Sequence, residues 1–197
     1  MASTPPFITP PVRDFYELRE DGDIYVVETH YFNLNKQVTC EVAIEKVKKY
    51  FESVGLLERV LTPQESTATV EEAARAVGCE PAHIAKTISF LRGGKPVLVV
   101  MAGDAKADNT KYRARFGEKA SMIPGDMVEA LIGHGLGGVC PFVVNKGVEV
   151  YLDESLKRFD YVYAAGGSPS SAVKLTPAEL EIHSGYISWV DVCKGWE

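Results

Sequence analysis

The stretch HIAKTISFLRGGKPVLVVMA, residues 83–102, decides the fold. From His83 to Leu91 the side chains alternate. Ile84, Lys86, Ile88 and Phe90 share one face, and Ala85, Thr87, Ser89 and Leu91 the other, which is the two-residue period of a β-strand. Arg92-Gly93-Gly94-Lys95 reads as a hairpin-type turn. Pro96 to Ala102 is almost continuously apolar, the pattern of a strand covered on both faces.

Outward from this hairpin the pattern switches to short helices and short strands. Ala43, Val47, Tyr50, Phe51 and Val54 fall on one helical stripe, with Glu45, Lys46, Lys48, Lys49 and Glu52 largely opposite and Gly55 as the stop. A short strand over 58–61 follows, and Thr69 with Glu72 forms a capping box for an Ala-rich helix ended by Gly78. Downstream, Asp108 caps a helix to Phe116, stopped by Gly117. Residues 120–123 read as a strand and 124–132 as a helix ended by Gly133. Strands are expected over 148–152, 161–165, 172–175 and 187–192, with a short helix capped by Asp153 over 154–158. Thr176-Pro177-Ala178-Glu179 joins a capping box to proline at the first helical position. The sum predicts an α/β (mixed α+β) domain around a curved, mixed sheet rather than a regular doubly wound one.

Residues 1–37 read as an N-terminal extension and 38–197 as the domain. Pro5, Pro6, Pro10 and Pro11 make the extension's start irregular, and residues 23–32, rich in Tyr, Val and Thr, suggest a strand. Its start lacks the basic and apolar regions of a secretory signal, and no apolar run reaches the roughly 18 residues of a membrane span, so a soluble cytoplasmic protein with no membrane association is expected. Cys40, Cys79, Cys140 and Cys193 are far apart, as are the four histidines. Disulfides, a metal centre and a cofactor are therefore not expected.

The net charge of −6 disfavours nucleic acid on average, but the average hides a gradient. Six acids stand against two arginines from Arg13 to Glu28. From Lys86 to Lys119 eight bases (Lys86, Arg92, Lys95, Lys106, Lys111, Arg113, Arg115, Lys119) stand against three acids. A solvated face and a local phosphate-contacting stripe are both compatible with this.

Lys86 is the first candidate for chemistry. An ammonium on an apolar strand face must find acceptors, reach solvent or become unusually responsive; an edge-strand lysine guarding against aggregation is the alternative. The second candidate is the loop 133–141, GHGLGGVCP. It contains a formal G-x-G-x-x-G, but a helix precedes it and Val139-Cys140-Pro141 follows, so the strand-then-helix context of a dinucleotide site is missing. Its glycines do expose main-chain groups to a ligand. Cys140 with His134 as base is a weaker, nucleophilic reading against that of a buried structural thiol. Around Ser168, in Gly166-Gly167-Ser168-Pro169, no G-x-S-x-G elbow exists.

Several stretches, taken in order, resemble one family: Glu65–Thr69, Ile84-Ala85-Lys86-Thr87, Val97–Asp104, Gly137–Phe142, Leu152–Leu156, Ala165-Gly166-Gly167 and Leu175–Leu180. This is the YbaK family of aminoacyl-tRNA editing domains, related to the insertion domain of bacterial prolyl-tRNA synthetase. The resemblance implies a compact YbaK-like domain with a barrel-like curved sheet. Lys86 matches the family's key lysine, and Gly137 and Pro141 the ends of its G-x-x-x-P loop, with Gly138 and Val139 inside. Gly166, Gly167 and Asp153 match positions beside the pocket, and His134 a position that often carries a ring. Val143 departs, standing where many members have glycine, and the extension is longer than expected. The implied activity is that of a free-standing deacylase removing a small amino acid from a mischarged tRNA, with the aminoacylated 3′ end of tRNA as partner and a synthetase as a second candidate. The alternatives are a non-catalytic tRNA- or synthetase-binding adaptor and a hydrolase of small acyl esters. The oligomeric state is left open.

Overall fold

The computed structural model describes residues 16–18, 24–26 and 28–196, with side chains from 41 to 196. The chain divides between Gln37 and Val38 into two compact units. The first contains an antiparallel pair, β1 (Tyr16–Leu18) and β2 (Ile24–Val26), with Tyr16 opposite Val26. Helix α1 covers Glu28–Ser53, so the strand expected over 23–32 stops at Val26 and helix takes over two residues later. No glycine or proline interrupts residues 28–54, so nothing local halts the helix as it extends upstream, and the β propensity of Thr29 and Tyr31 yields to it. Ala43, Val47 and Phe51 on the predicted stripe are buried, while Val54 beyond the helix end is exposed.

The remaining elements are β3 (Val60–Leu61), α2 (Val70–Val77), β4 (Ile84–Arg92), β5 (Lys95–Ala102), β6 (Lys106–Ala107), α3 (Asn109–Phe116), β7 (Ser121–Met122), α4 (Gly125–Ile132), β8 (Glu149–Asp153), β9 (Val162–Ala165), β10 (Ala172–Leu175), α5 (Pro177–Ser184), β11 (Ser188–Val190) and β12 (Cys193–Lys194). A 3₁₀ turn over Leu57–Arg59 takes the first half of the strand expected at 58–61. The predicted stops and caps are present. Thr69, Asp108 and Thr176 each accept backbone N–H groups at their helix starts, and Gly78, Gly117 and Gly133 end α2, α3 and α4 in the left-handed conformation.

Eight strands form one mixed sheet in the order β11-β8-β5-β4-β9-β10-β3, with β7 on β4. The sheet does not close: β11 and β3 end the ladder. Strand β4 runs antiparallel to β5 from Ala85↔Ala102 to Arg92↔Lys95, and Gly93 and Gly94 between them both have positive φ, as a two-residue hairpin turn requires. The pairs β4·β9, β5·β8 and β8·β11 are parallel. Val97 to Ala102 are at most 1 % exposed, so β5 is enclosed on both faces. The hairpin is therefore the rigid floor on which the site is assembled. Among the described residues no helix is long and apolar enough to cross a membrane.

Candidate active site

Lys86 lies mid-sheet, opposite Met101 of β5. It is half-buried, and its Nζ donates to the Gly103 carbonyl at 2.9 Å. Burial pushes the ammonium below the ordinary lysine value, and the carboxylates of Asp104 and Glu71 pull it partly back. An ammonium has three donors, so the bond to Gly103 fixes its direction and leaves two for a ligand.

Gly103 follows β5 directly, and only glycine fits there. A Cβ would sit inside the contact shell of the Pro81 carbonyl oxygen and 2.8 Å from Cγ1 of Val70. The acceptor that aims Lys86 is thus wedged between the start of α2 and the turn before β4.

On the other side of β4, the parallel ladder pairs Ile84 with Tyr163 and Ala85 with Ala164. Lys86 therefore falls one step further on, where β9 gives way to Gly166-Gly167. Gly167 has φ +98°, and a Cβ there would meet the backbone of Ala43 and Ile44 in α1 at 3.0–3.1 Å. A Cβ on Gly138 would lie 2.6–2.7 Å from the backbone of Gly167 and Ser168. The two glycine segments predicted from sequence thus pack main chain on main chain, an approach that side chains would prevent. Gly137, with φ +85°, faces Ala68 and Pro169.

Three hydroxyls tie this arrangement together. Ser168 Oγ donates to Ser171 Oγ at 2.9 Å, Ser171 Oγ donates to the Ser168 carbonyl at 3.0 Å, and Thr67 Oγ1 donates to the Ser171 carbonyl at 3.2 Å while accepting from Ser171 N at 3.1 Å. All three side chains are buried, so Ser168 is a structural hydroxyl, as the missing elbow motif suggests. Thr67, Ser171 and Gly103 shape the site without having been singled out from sequence. The glycine between an apolar strand and Asp104 was a usable signal for Gly103; Thr67 and Ser171 carry none, being 104 residues apart.

The glycine loop closes on His134. Cys140 N donates to its Nδ1 at 3.3 Å, and Gly138 N donates to the Gly135 carbonyl at 3.0 Å. His134 is 1 % exposed, and its ring braces the loop through the Cys140 amide. Burial drives its pKa down to about 4 and the Cys140 thiol up to about 12. Neutral, buried and donating to the Phe142 carbonyl, Cys140 is no nucleophile. Val139 is half-buried against the core and Pro141 is buried at the loop exit, where Phe142 meets Phe51 of α1 edge-on at 5.1 Å. Val143, at the position where the resemblance expects glycine, has φ +50°, a conformation costing a β-branched residue roughly 1–3 kcal/mol.

Asp153 caps the short helix over 154–158, as expected, and that helix is a 3₁₀ turn. Asp153 is fully buried; Oδ1 accepts from Ser155 N at 3.0 Å and Oδ2 from Val192 N at 2.9 Å, so it caps its 3₁₀ turn and fastens the C-terminal segment. Among the described residues no group of three or more His, Cys, Asp or Glu could hold a metal ion.

His134 makes a pH prediction. Its folded pKa of about 4 lies below the ordinary 6.5, so between these values the unfolded chain binds the extra proton. Stability is then full above pH 6.5 and is lost as pH falls toward 4, by roughly 3 kcal/mol through this group. Urea unfolding at pH 7 and pH 4.5 should show a drop in the native protein at least about 1.5 kcal/mol larger than in His134→Asn. Equal drops would mean that the imidazole is not held neutral.

The comparisons with known proteins agree with this architecture. A family model described as an aminoacyl-tRNA editing domain matches residues 64–182, more than half of the chain. The uncharacterized protein YwhH of Bacillus subtilis (strain 168) is 45 % identical over 157 residues, covering 79 % of this chain and all of that one. A proline–tRNA ligase of Leuconostoc citreum (strain KM20) is 29 % identical over 132 residues, 64 % of this chain but only 22 % of the ligase. A crystal structure of a candidate trans-editing enzyme for prolyl-tRNA synthetase superposes with a TM-score of 0.70 at 31 % identity, covering 78 % of this chain and 98 % of that one. With Lys86, the paired glycine segments and the open mixed sheet in the places described, the chain belongs to the aminoacyl-tRNA editing domain family.

Proposed function

We propose that this protein is a free-standing deacylase that hydrolyses the ester of a mischarged tRNA carrying a small amino acid. The observation that carries the reading is the Lys86 amine, half-buried, aimed by one bond to Gly103 and with two donors to spare, on the strand beside the Gly166-Gly167 turn. An aminoacyl ester is already activated, so positioning and electrostatics suffice and no protein nucleophile is needed. Cys140 and Ser168, the two nucleophile candidates, are buried in structural bonds.

In this reading the Lys86 ammonium holds the terminal phosphate or the ester and ribose oxygens. Main-chain groups of Gly137, Gly138 and Val139, stiffened by Pro141, hold the carbonyl and amino group. Water, deprotonated with help from the substrate's own 2′-hydroxyl, adds to the carbonyl carbon. The tetrahedral oxyanion collapses, the bond to the ribose oxygen breaks, and that oxygen takes the proton. Beside these glycines the site selects small side chains, with large ones excluded by clash, the stronger direction of size selection.

The test is a panel of tRNAs charged with alanine, serine, cysteine, proline and a bulky residue, incubated with the full chain. Hydrolysis of small-residue esters well above the spontaneous rate, with the bulky ester spared, is expected. Decay of every ester at its spontaneous rate would sink the enzymatic reading and leave a binding adaptor.

A further inference from the structure

The eight bases between residues 86 and 119 are not equivalent once the chain is folded. Lys86 is held by Gly103, Arg92 pairs with Glu149 at 2.9 Å, and Lys111 pairs with Asp191 at 2.8 Å. Arg115 donates to Ser188 and lies over the rings of Phe116 and Tyr151. Among the described residues no ion pair occupies Lys95, Lys106, Arg113 or Lys119. Lys95 sits apart in the hairpin turn. Arg113 and Lys119 line one open groove on α3 together with Asn109, Thr110 and Ala114, and all five are exposed.

The acids of the same segment are mostly spent. Asp104 is held by Arg158 at 2.6 Å, and Asp108 caps α3 and pairs with Lys194 at 3.2 Å. Of the segment's three acids only Glu118 is without an ion pair among the described residues, against four cations in that state. The cations also follow the proposed site along the chain: Gly103 holds Lys86, Lys106 follows on β6, and β6 leads through Asp108 directly into α3. Lys106 is near enough to Lys86 to act on its charge. Separate, solvated cations suit a polyanion with repeating charges better than a single small anion, which needs convergent donors.

We propose that the α3 groove between Arg113 and Lys119 docks the phosphodiester backbone of an RNA whose 3′ end reaches Lys86. This rests on the editing reading for where the 3′ end goes, but the docking itself is read by binding alone. On a chain of net charge −6 such a surface gives weak, strongly salt-dependent association, the form expected for a substrate that must also leave.

The experiment measures binding of fluorescein-labelled uncharged tRNA to the full chain by anisotropy between 50 and 200 mM salt. Replacing both cations, Arg113→Gln with Lys119→Gln, should weaken binding roughly tenfold at the lowest salt and flatten the plot of log affinity against log salt by about 1.4–1.8. Lys95→Gln, outside the groove, should leave both unchanged. Because both groove side chains are exposed and unpaired, an unaltered melting temperature confirms that the double variant is folded. Unchanged affinity and slope in that variant, or no binding by the native protein, overturns the proposal. So does inorganic phosphate displacing the RNA better than chloride at equal ionic strength, which marks a small-anion site. Lys86→Ala is run alongside for turnover of the charged tRNA: full turnover there removes the catalytic reading while a groove effect on binding stands.

Discussion

Replacing Lys86 with alanine is expected to lower kcat/KM for hydrolysis of a mischarged tRNA by about 10²–10³-fold, the loss that follows removal of one preorganised donor to a developing oxyanion. The fold should not share the loss. Burial already holds the ammonium below its ordinary pKa, so the charge is a cost to the folded chain that alanine removes. Urea unfolding should therefore move by less than about 1 kcal/mol in either direction. Lys86→Arg is the sharper control. It restores the charge, but a planar guanidinium cannot reproduce a compact ammonium aimed by one carbonyl, and activity should stay low. Full hydrolysis by Lys86→Ala, measured on the same charged tRNA, would end the role assigned to this side chain.

Gly103→Ala is expected to have the largest effect on stability. Its methyl group would enter the space of the Pro81 carbonyl oxygen and press on Cγ1 of Val70. Neither neighbour can yield cheaply: one is main chain before β4 and the other is the first residue of α2. Overpacking of this kind costs about 3 kcal/mol or more, and it also shifts the carbonyl that aims Lys86. Gly147→Ala is the reference: unlike Gly103 it has a positive φ, +94°, but nothing lies within 4 Å, so only about 1 kcal/mol of backbone strain is expected. Denaturant midpoints for the two variants should differ accordingly. A Gly103→Ala protein as stable as Gly147→Ala would show that the 81–84 turn can move, and the fixed geometry around Lys86 would lose its basis.

Much of this frame is legible in the residues, for identifiable reasons. The β4–β5 hairpin announces itself because alternation, a double-glycine turn and an all-apolar strand are local patterns. The same holds for helices with a side-chain cap at one end and glycine at the other, as at Thr69 and Gly78 or Asp108 and Gly117. Lys86 stands out because a charge on an apolar face is a local contradiction. What escapes are features decided across the chain. The bonds of Thr67 to Ser171, the burial of His134 and the second Asp153 bond, to Val192 N, depend on partners that sequence spacing does not bring together. Strands β6 and β12 are two residues each, too short to show a period, and they exist only because they pair with one another. The start of α1 was hidden for the opposite reason: β-prone residues stand where no breaker prevents a helix from growing through them.

The stack of Ala43, Gly167 and Gly138, knotted by Thr67 and Ser171, joins positions far apart in the chain. Closure of so long a loop must precede any gain from it, which places these walls among the last parts to assemble during folding. A nascent chain emerging from its N-terminus can build the β4–β5 hairpin early, but it holds Lys86 opposite an unfinished wall until the residues around Ser171 have been synthesised. Under the proposed deacylase activity, competence would arrive in one late step, and a truncated chain ending before β10 would keep its strand lysine yet have nothing to work against.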